Sequence, residues 1–514
     1  MRRLLLGTFI LALLLAWGVE SIADQPKRGG TLTLAIRKDI SLLNPLVGTK
    51  SVEKGVRGLI FEPLLGLDLN GKIQPNLAEQ WSISKDGKLY TFKLRRGVKF
   101  HNGQEMKAED VKFAIDYTLE PRNGAYGHSD LSPVKRVVVA DEYTLEIHLK
   151  KASPVFLSLL TSIRAFSVIP KESLEGGVKR ISVFPPGTGP FKFVEWKPKR
   201  RIVLERNEDY WGHKAFVDRV VLRPIRNATV RFTALRTGDV DMVDTTPLEW
   251  VQQVVKGNIK GINYASAPRE ILRRLQFNVP AAPFDNRKLR QAVAHAIDRK
   301  EIMQSTFFEF GVPSDQKYPK GHAWYFQGIP WPAYDLHKAR ALLKESGYKG
   351  QAVKIMVQPA HEVMATTLQA QLKKIGMNVR LDMLTRGAFA SRARKGEFEF
   401  RFTGGSFYPD PSASYGSDFR CPKDVRKRTG NNSGYCDKEM DDLVKRGETE
   451  FDPEKRRAIF KRIVTKVSQD LPEIYLGYGP RFFTFRNSVK GFSTDDNADY
   501  RWWRGGLHYT WLDK

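Results

Sequence analysis

Residues 58–119 constrain the fold of this chain most, because strand-like and turn-like segments there give way to a helical pattern. Asn70-Gly71 is a dipeptide suited to a hairpin turn with positive φ, and Asp86-Gly87 marks a second turn. Apolar and polar residues then alternate as in a half-buried strand, with Tyr90, Phe92 and Leu94 on one face. One helical face follows, formed by Val111, Ala114, Ile115, Thr118 and Leu119. The stretch predicts a mixed α/β structure.

A strand–helix–strand unit is predicted further along the chain. Residues 353–357 and 379–384 have strand character, and residues 364–375 between them have helical character. Such a unit is compatible with a parallel sheet packed under helices. The chain of 514 residues exceeds a single hydrophobic core, so at least two lobes are expected.

The N-terminus has the pattern of a secretory signal peptide. Arg2 and Arg3 precede an apolar run over residues 4–19, and Ser21-Ile22-Ala23 places small residues before a cleavage point. We expect a leader over residues 1–23 and a mature protein that begins at Asp24, exported to the periplasm. An uncleaved membrane anchor is the alternative, although the apolar run is short of the roughly 20 residues that a spanning helix needs.

The net charge of +27 is unusually high. Basic clusters occur at residues 197–201, 269–274 and 423–428. A solvated basic surface explains them, and so does an anionic ligand or partner, because a positive field steers anions into a cleft. The clusters lie among strands and turns without a nucleic-acid-binding motif, so nucleic acid is not expected as a partner.

Two cysteines, Cys421 and Cys436, enclose a polar segment rich in Gly and Asn, which is typical of a loop. In an oxidising compartment they can form a disulfide. Metal binding and two free thiols are the alternatives at this point.

Enzyme motifs are incomplete. Residues 66–72 have the spacing of a phosphate loop, but Ile73 stands where Ser or Thr would hold Mg²⁺. His361-Glu362 is not followed by the second His of a zinc peptidase helix, and no GxSxG motif occurs. No catalytic residue, metal or cofactor is therefore expected, although an exported hydrolase or a chaperone-like peptide binder is kept as the alternative function.

The order of these motifs closely resembles the peptide/nickel class (family 5) of extracytoplasmic solute-binding proteins, the receptors of ABC importers. The resemblance is carried by residues 58–119 and by later phrases in the same order: Gly187-Thr188-Gly189-Pro190-Phe191, Gly238-Asp239-Val240-Asp241, Ala296-Ile297-Asp298-Arg299 and Asp470-Leu471-Pro472-Glu473-Ile474. It covers essentially the whole chain after the leader.

The resemblance implies an α/β, two-lobed periplasmic-binding-protein fold with an enlarged lobe 1, mixed sheets and two hinge crossovers. Lobe 1 would comprise residues 24–271 and 480–514, and lobe 2 residues 272–479. The implied function is a non-enzymatic, monomeric receptor that closes on a peptide-like or other small solute, anionic or zwitterionic in view of the charge, and delivers it to ABC transporter permease subunits. Dipeptide-binding members carry a similarly placed cysteine pair, which favours the disulfide.

The best candidate for a ligand site is the segment that contains Ser406, Phe407, Tyr408 and Asp410, where an apolar strand ends in small residues, then aromatics, then an acid between two prolines. In peptide-binding relatives an Asp in this pattern pairs with the ligand's ammonium group, and we assign that role to Asp410; a capping or turn Asp is the alternative. Phe407 and Tyr408 would line the pocket or pack in the core.

Two weaker candidates and one departure complete the predicted site. Asn44 follows the first strand, where a turn-forming role is the alternative, and Arg386 follows residues 379–384, where an exposed surface Arg is the alternative. Dipeptide-binding relatives place an Arg just after the strand that matches residues 353–357. Here Gln358-Pro359-Ala360-His361 follows instead, which argues against simple dipeptide specificity.

Overall fold

A computed structural model describes residues 25–41, 45–46, 51–68, 72–163, 167–174, 185–405, 410–422, 424, 428, 430–494, 501–502 and 505–514. The predicted leader and four predicted site residues, Asn44, Ser406, Phe407 and Tyr408, lie outside the described residues. In the part of the chain that is described, no helix has the length and apolar character needed to cross a bilayer.

The strands are short except for two, and in chain order they are β1 Thr31–Ile36, β2 Leu65–Leu67, β3 Ile73–Pro75, β4 Ala78–Ile83, β5 Leu89–Leu94, β6 Val134–Asp141, β7 Thr144–Leu149, β8 Phe191–Lys197, β9 Arg201–Arg206, β10 Arg219–Pro224, β11 Met242–Asp244, β12 Ile262–Phe277, β13 Val312–Pro313, β14 Val353–Val357, β15 Val379–Met383, β16 Phe400–Gly405, β17 Glu473–Arg486, β18 Val489–Lys490, β19 Arg501–Trp502, β20 Gly505–Gly506 and β21 Trp511–Leu512.

The α-helices are α1 Ser51–Ile60, α2 Ala108–Leu119, α3 His128–Leu131, α4 Phe156–Leu159, α5 Ala228–Thr237, α6 Leu248–Val255, α7 Arg287–His295, α8 Arg299–Phe307, α9 Leu336–Glu345, α10 Glu362–Lys373, α11 Arg386–Lys395, α12 Pro411–Phe419, α13 Lys438–Gly447 and α14 Pro453–Asp470.

A mixed sheet of 11 strands runs through the whole molecule. Its order is β15-β14-β16-β12-β17-β11-β1-β10-β9-β8, and β13 pairs with β17 outside this path. The predicted strand–helix–strand unit is confirmed as β14, α10 and β15, and β14 and β15 are parallel, with Val353 opposite Val379.

Two long antiparallel strands, β12 and β17, join the two ends of this sheet. Ile262 pairs with Arg486 at one end and Gln276 with Glu473 at the other, and the register shifts between Ala267 and Ile271. A β-bulge of this kind bends a strand locally. Because both strands run from one lobe into the other, they are the two crossovers between the lobes.

The hydrophobic cores divide along the same line. One core contains buried residues such as Leu34, Phe92 and Phe483, and all its members lie within residues 32–267 or 483–512. Another contains Val293 and Phe400 among others, all within residues 275–476. This separation confirms the predicted two-lobed α/β fold.

The enlargement of lobe 1 is a separate antiparallel sheet with the order β4-β5-β7-β6. Tyr90, Phe92 and Leu94 point into the core from β5, as their alternation predicts. The buried face of α2 likewise contains Val111, Ala114, Ile115 and Thr118. Residues 66–72 have the spacing of a phosphate loop, and the strands at its two ends, β2 and β3, are antiparallel, with Leu67 opposite Ile73; residues 69–71 lie outside the described residues.

Candidate functional site

In lobe 2, the carboxyl ends of three strands lie at the junction with lobe 1. β14 is parallel to both β15 and β16. β16 is antiparallel to β12, with Phe400 opposite Phe277 and Gly405 opposite Leu272. Because β12 enters lobe 2 near Leu272, the ends of β14, β15 and β16 are at the edge of the sheet that faces lobe 1.

In lobe 1, the carboxyl ends of β1, β10 and β11 point to the same junction. β1 is parallel to β10 and β11. β11 is antiparallel to β17, with Met242 opposite Phe485 and Asp244 opposite Phe483, so Asp244 is the end nearer to lobe 2. In open α/β sheets, ligands bind in the crevice outside the carboxyl ends of the strands. Here two such edges meet, and the space between them is the candidate cleft.

The residues that follow these strands in lobe 2 include the predicted site residue Arg386 and the predicted segment after β16, together with His361, which was not predicted as a site residue. Arg386, after β15, is the first residue of α11 and is exposed. His361, after β14, is half-buried and immediately precedes α10. The segment of residues 406–409 follows β16 and lies outside the described residues.

Arg273 and His361 contact each other at this edge. The distance between Arg273 Nη1 and His361 Nε2 is 2.7 Å, and the Arg273 guanidinium lies 5.6 Å from the centroid of the Phe307 ring. The His361 ring packs on Phe402, with 5.8 Å between ring centroids. Burial, together with the charge of Arg273, lowers the pKa of His361 to about 4, so this histidine is neutral at physiological pH. The pair joins the hinge strand to the loop after β14.

On the lobe 1 side, the junction also carries basic residues. Arg37, directly after β1, is half-buried, and Lys38 beside it is exposed. Arg481 on β17 forms a buried ion pair with Asp244, with 2.9 Å between Nε and Oδ1. Arg481 also donates to Thr245 Oγ1 at 3.1 Å. The ion pair therefore fixes the end of β11 against the second crossover strand.

Asp410 is the N-cap of α12. Its Oδ1 accepts a hydrogen bond from the backbone N–H of Ser412 at 2.8 Å, which is the usual capping contact. The same oxygen lies 2.7 Å from Arg456 Nη2 on α14, and both side chains are about nine-tenths buried. The capping role that the sequence left open is therefore present in the structure. Contact with a ligand's ammonium group stays a prediction.

Sequence reasoning missed a buried ionic cluster behind the cleft. Arg274 Nη1 lies 2.5 Å from Asp418 Oδ2 and 2.8 Å from Glu473 Oε2, and Lys317 also pairs with Asp418. Burial alone would raise the pKa of Asp418, but the charges of Arg274 and Lys317 outweigh it and hold that pKa well below its usual range. The cluster ties β12 to α12 and β17. Its members are far apart in the chain, so no local pattern signals it.

The predicted disulfide is present. Cys421 and Cys436 are bonded, with a Cα–Cα distance of 4.7 Å, and they link the segment after α12 to the segment before α13. Among the described residues, no group of three or more His, Cys, Asp or Glu side chains is placed to hold a metal ion.

Two surface concavities lie away from the junction. One, of about 540 Å³, is lined by residues of α14 and of the loop between β13 and α9, including Lys320, Tyr325 and Arg457. The other, of about 550 Å³, lies on the small sheet of lobe 1 near Lys93 and Tyr143. Neither involves the strand edges that meet between the lobes.

Comparison with known proteins identifies the family. Residues 72–424 match the model of the bacterial extracellular solute-binding proteins, family 5. The chain is 28% identical over 457 residues to the glutathione-binding protein GsiB of Escherichia coli strain K12, covering 87% of this chain and 88% of that protein. It is also 28% identical over 460 residues to the dipeptide-binding protein of the same organism, covering 82% and 84% respectively.

Solved structures agree in fold. The periplasmic binding protein DppA from Helicobacter pylori, in complex with the peptide STSA, is 27% identical with a TM-score of 0.78, and the match covers 95% of this chain and 99% of that one. The substrate-binding protein CtaP from Listeria monocytogenes is 25% identical with a TM-score of 0.85, covering 95% and 100%. The chain therefore belongs to the family 5 bacterial extracellular solute-binding proteins, which are not enzymes but receptors that deliver solutes to ABC importers.

Proposed function

We propose that the ligand is a small peptide-like solute with at least one carboxylate, bound between the two carboxyl edges. The observation that carries the proposal is the meeting of these edges with basic side chains on both sides, Arg37 in lobe 1 and Arg273 and Arg386 in lobe 2. The names of the relatives support it: glutathione and dipeptides both carry carboxylates. A net charge of +27 favours the approach of such an anion.

We also propose the lobe boundaries predicted from the sequence, with residues 24–271 and 480–514 in lobe 1 and residues 272–479 in lobe 2. The separation of the cores supports them, because the lobe 1 core resumes at Phe483 and the lobe 2 cores end at Tyr478. In this division β12 and β17 are the hinge, and closure of the lobes about it would bury the ligand.

One contact far from the hinge supports closure as the working motion. Gly87, in the turn between β4 and β5 of lobe 1, packs against the ring of Phe451, between α13 and α14 of lobe 2. Gly87 is buried although it lies at a turn tip. Its φ is +66°, and a side chain there would overlap the Phe451 ring. The two lobes can approach at this point only because residue 87 has no side chain.

The family places the protein outside the cytoplasm, and we propose the periplasm as its compartment, reached through cleavage after Ala23. N-terminal sequencing of the exported protein should begin at Asp24. Retention of Met1 in a membrane fraction would contradict this.

The remaining ligand contacts follow the sequence predictions. We propose that Asn44 and the segment of Ser406, Phe407 and Tyr408 line the cleft, because they follow β1 and β16 at the meeting edges. Asp410 would contribute its carboxylate at the C-terminal end of the same segment. Both contacts of Asp410 described above use Oδ1, so Oδ2 would have to meet an ammonium group.

Isothermal titration calorimetry of the mature protein, dialysed free of ligand, tests the proposed ligand class. The peptide panel consists of glutathione, dialanine and trialanine, each as the free acid and as the C-terminal amide, with glucose as an uncharged comparison. We expect saturable 1:1 binding of at least one free acid and no binding of glucose. Binding of glucose alone, or of no member of the panel, would contradict the proposal.

A further inference from the structure

We infer that Arg273 on the hinge strand, together with His361, holds a carboxylate of the ligand in this protein. The inference rests on the proposed function and names the side chains that select the charged group. It assigns the anion contact to β12 rather than to the residue directly after β14, where this chain has Gln358.

The two consecutive arginines of β12 have different surroundings. Arg274 faces the core that contains Leu272 and Tyr415, and its charge is engaged by Asp418 and Glu473. Since successive side chains of a strand point to opposite faces, Arg273 lies on the other face. There it contacts the Phe307 ring and His361, among other groups. Both arginines are half-buried, but the carboxylate partners of Arg274, Asp418 and Glu473, are buried.

His361 supports the guanidinium without cancelling its charge. The imidazole is neutral, so Nε2 can accept the hydrogen bond from Arg273 Nη1, and the ring proton is then on Nδ1. Nδ1 is buried and has no hydrogen-bond partner among the described residues. The pair therefore presents a guanidinium that His361 holds in place, and a guanidinium is the kind of donor that pairs with a carboxylate.

A glycine of the neighbouring strand accommodates the Arg273 guanidinium at the sheet edge. Gly404 and Gly405 end β16 opposite Arg273 and Leu272. A Cβ on Gly404 would lie 3.2 Å from Arg273 Nη1 and 2.8 Å from the Leu272 carbonyl oxygen, whereas a Cβ on Gly405 would meet no atom within 4 Å. Because Gly404 has no side chain, the Arg273 guanidinium can lie directly over the carboxyl end of β16, at the edge of the sheet that faces the junction.

A helix terminus adds to the positive field. α10, a helix of 12 residues, begins directly after His361. The unpaired N–H groups of a helix N-terminus favour negative charge nearby. Arg273, His361 and this terminus come from β12 and from the segment after β14, so the anion contact is made by two elements that β16 holds side by side.

The position of Arg273 on β12 has a functional consequence. β12 is one of the two strands that connect the lobes. A carboxylate held by Arg273 is therefore anchored at the hinge, and the rest of the ligand would extend into the cleft that closes over it. Recognition of the ligand's carboxylate and closure of the two lobes would then both involve β12.

Titration with the peptide panel tests the inference, using the ratio of the dissociation constants of each amide and its free acid. We expect the wild-type protein to prefer the free acids. In Arg273→Gln this preference should fall about ten- to a hundredfold, the effect of losing a hydrogen-bonded charge, while the amides bind nearly as in wild type. Arg380→Gln is the matched control, because Arg380 is an exposed strand arginine of the same sheet, on β15. It should keep the preference.

A second variant separates recognition from folding. Arg273→Lys keeps the charge but loses the planar fork, so it should retain an intermediate preference, and thermal melts of both variants should stay close to wild type. An unchanged acid-to-amide ratio in Arg273→Gln would overturn the inference and leave the receptor function standing. Equal binding of acids and amides by the wild type would also overturn it. Absence of binding to the whole panel would overturn the proposed ligand class, and this inference with it.

Discussion

Asp410 and Arg456 form a buried ion pair, with 2.7 Å between Oδ1 and Nη2, that joins the start of α12 to α14. Arg456 also donates from Nε to the carbonyl oxygen of Gly447 at the end of α13, at 3.0 Å. One guanidinium therefore connects three helices of lobe 2. A residue that the sequence nominates for ligand binding is thus also part of the lobe 2 framework.

Asp410→Asn should destabilise the protein. Asparagine can still cap α12, since Asn and Asp are equivalent at this position. The change nevertheless leaves the buried charge of Arg456 without its partner, which we expect to cost about 3 kcal/mol. Thermal or urea unfolding of the variant measures the loss.

The matched control for Asp410 is Asp452→Asn. Asp452 caps α14 with its carboxylate, accepting from the backbone N–H groups of Glu454 and Lys455 at 3.0 Å, but its side chain is exposed. We expect a change of a few tenths of a kcal/mol at most. Equal losses of stability in the two variants would show that the Asp410–Arg456 ion pair contributes no stability beyond that of the helix cap.

The Cys421–Cys436 disulfide should stabilise lobe 2. It closes a loop between residues 15 apart in the chain, for which the chain-entropy model gives about 3 kcal/mol. Reduction, or the double change Cys421→Ser and Cys436→Ser, should lower the melting temperature by several degrees. Melts in the presence and absence of a reductant provide the measurement. Two thiols that react freely in the native, unreduced protein would contradict the bond.

Stability should fall as pH drops from about 6.5 to about 4. Burial lowers the pKa of His101 to about 4, and the charge of Lys192 acts in the same direction, although a bond to the Gly189 carbonyl oxygen opposes it. In this window the unfolded chain binds a proton that the folded protein does not, so acid favours unfolding. Burial lowers the pKa of His361, His213 and His295 as well.

Melting temperature as a function of pH tests this dependence. His101→Gln should be less stable at pH 7 but should lose less stability between pH 6.5 and 4 than the wild type, because one of the contributing groups is gone. His337, exposed on α9, provides the control change His337→Gln. A slope that is the same in all three proteins would refute the role of His101.

Gly87→Ala should weaken ligand binding by opposing closure. The new methyl group would overlap the Phe451 ring of the other lobe. The closed state would then be less populated, so the apparent affinity for the ligand should fall about tenfold. Gly97→Ala is the control, because Gly97 has a similar φ of +73° but no atom within 4 Å of its would-be Cβ. Adding Phe451→Ala to Gly87→Ala should restore binding. Equal affinities in the two glycine variants would rule out the contact.

Local patterns in the sequence predicted much of the fold. The alternation at Tyr90, Phe92 and Leu94 and the helical face of Val111 and Ala114 are both confirmed, since each depends only on which face of one element is buried. The Arg273–His361 contact joins residues 88 positions apart, and the Arg274–Glu473 contact spans 199. Such contacts depend on how the chain brings distant strands together, which periodicity does not encode.

Asp410 shows a different limit of sequence reasoning. An Asp followed by Pro at the first helical position is the pattern of an N-cap, and the same acid between two prolines also suits a rigid ligand contact. Only its partner distinguishes these roles, and that partner, Arg456, is 46 residues away. Asp410 lies at the start of α12, and its neighbours in the sequence do not distinguish the two roles.

Hydrogen–deuterium exchange, measured with and without the tightest-binding peptide of the panel, tests the central claim most directly. The claim is that the ligand lies between the carboxyl edges of both lobes. We predict ligand-dependent protection in segments from each lobe, after β1 and β11 in lobe 1 and after β14 and β15 in lobe 2. Protection confined to one lobe, or centred on the concavity near Lys320 and Arg457, would contradict the account.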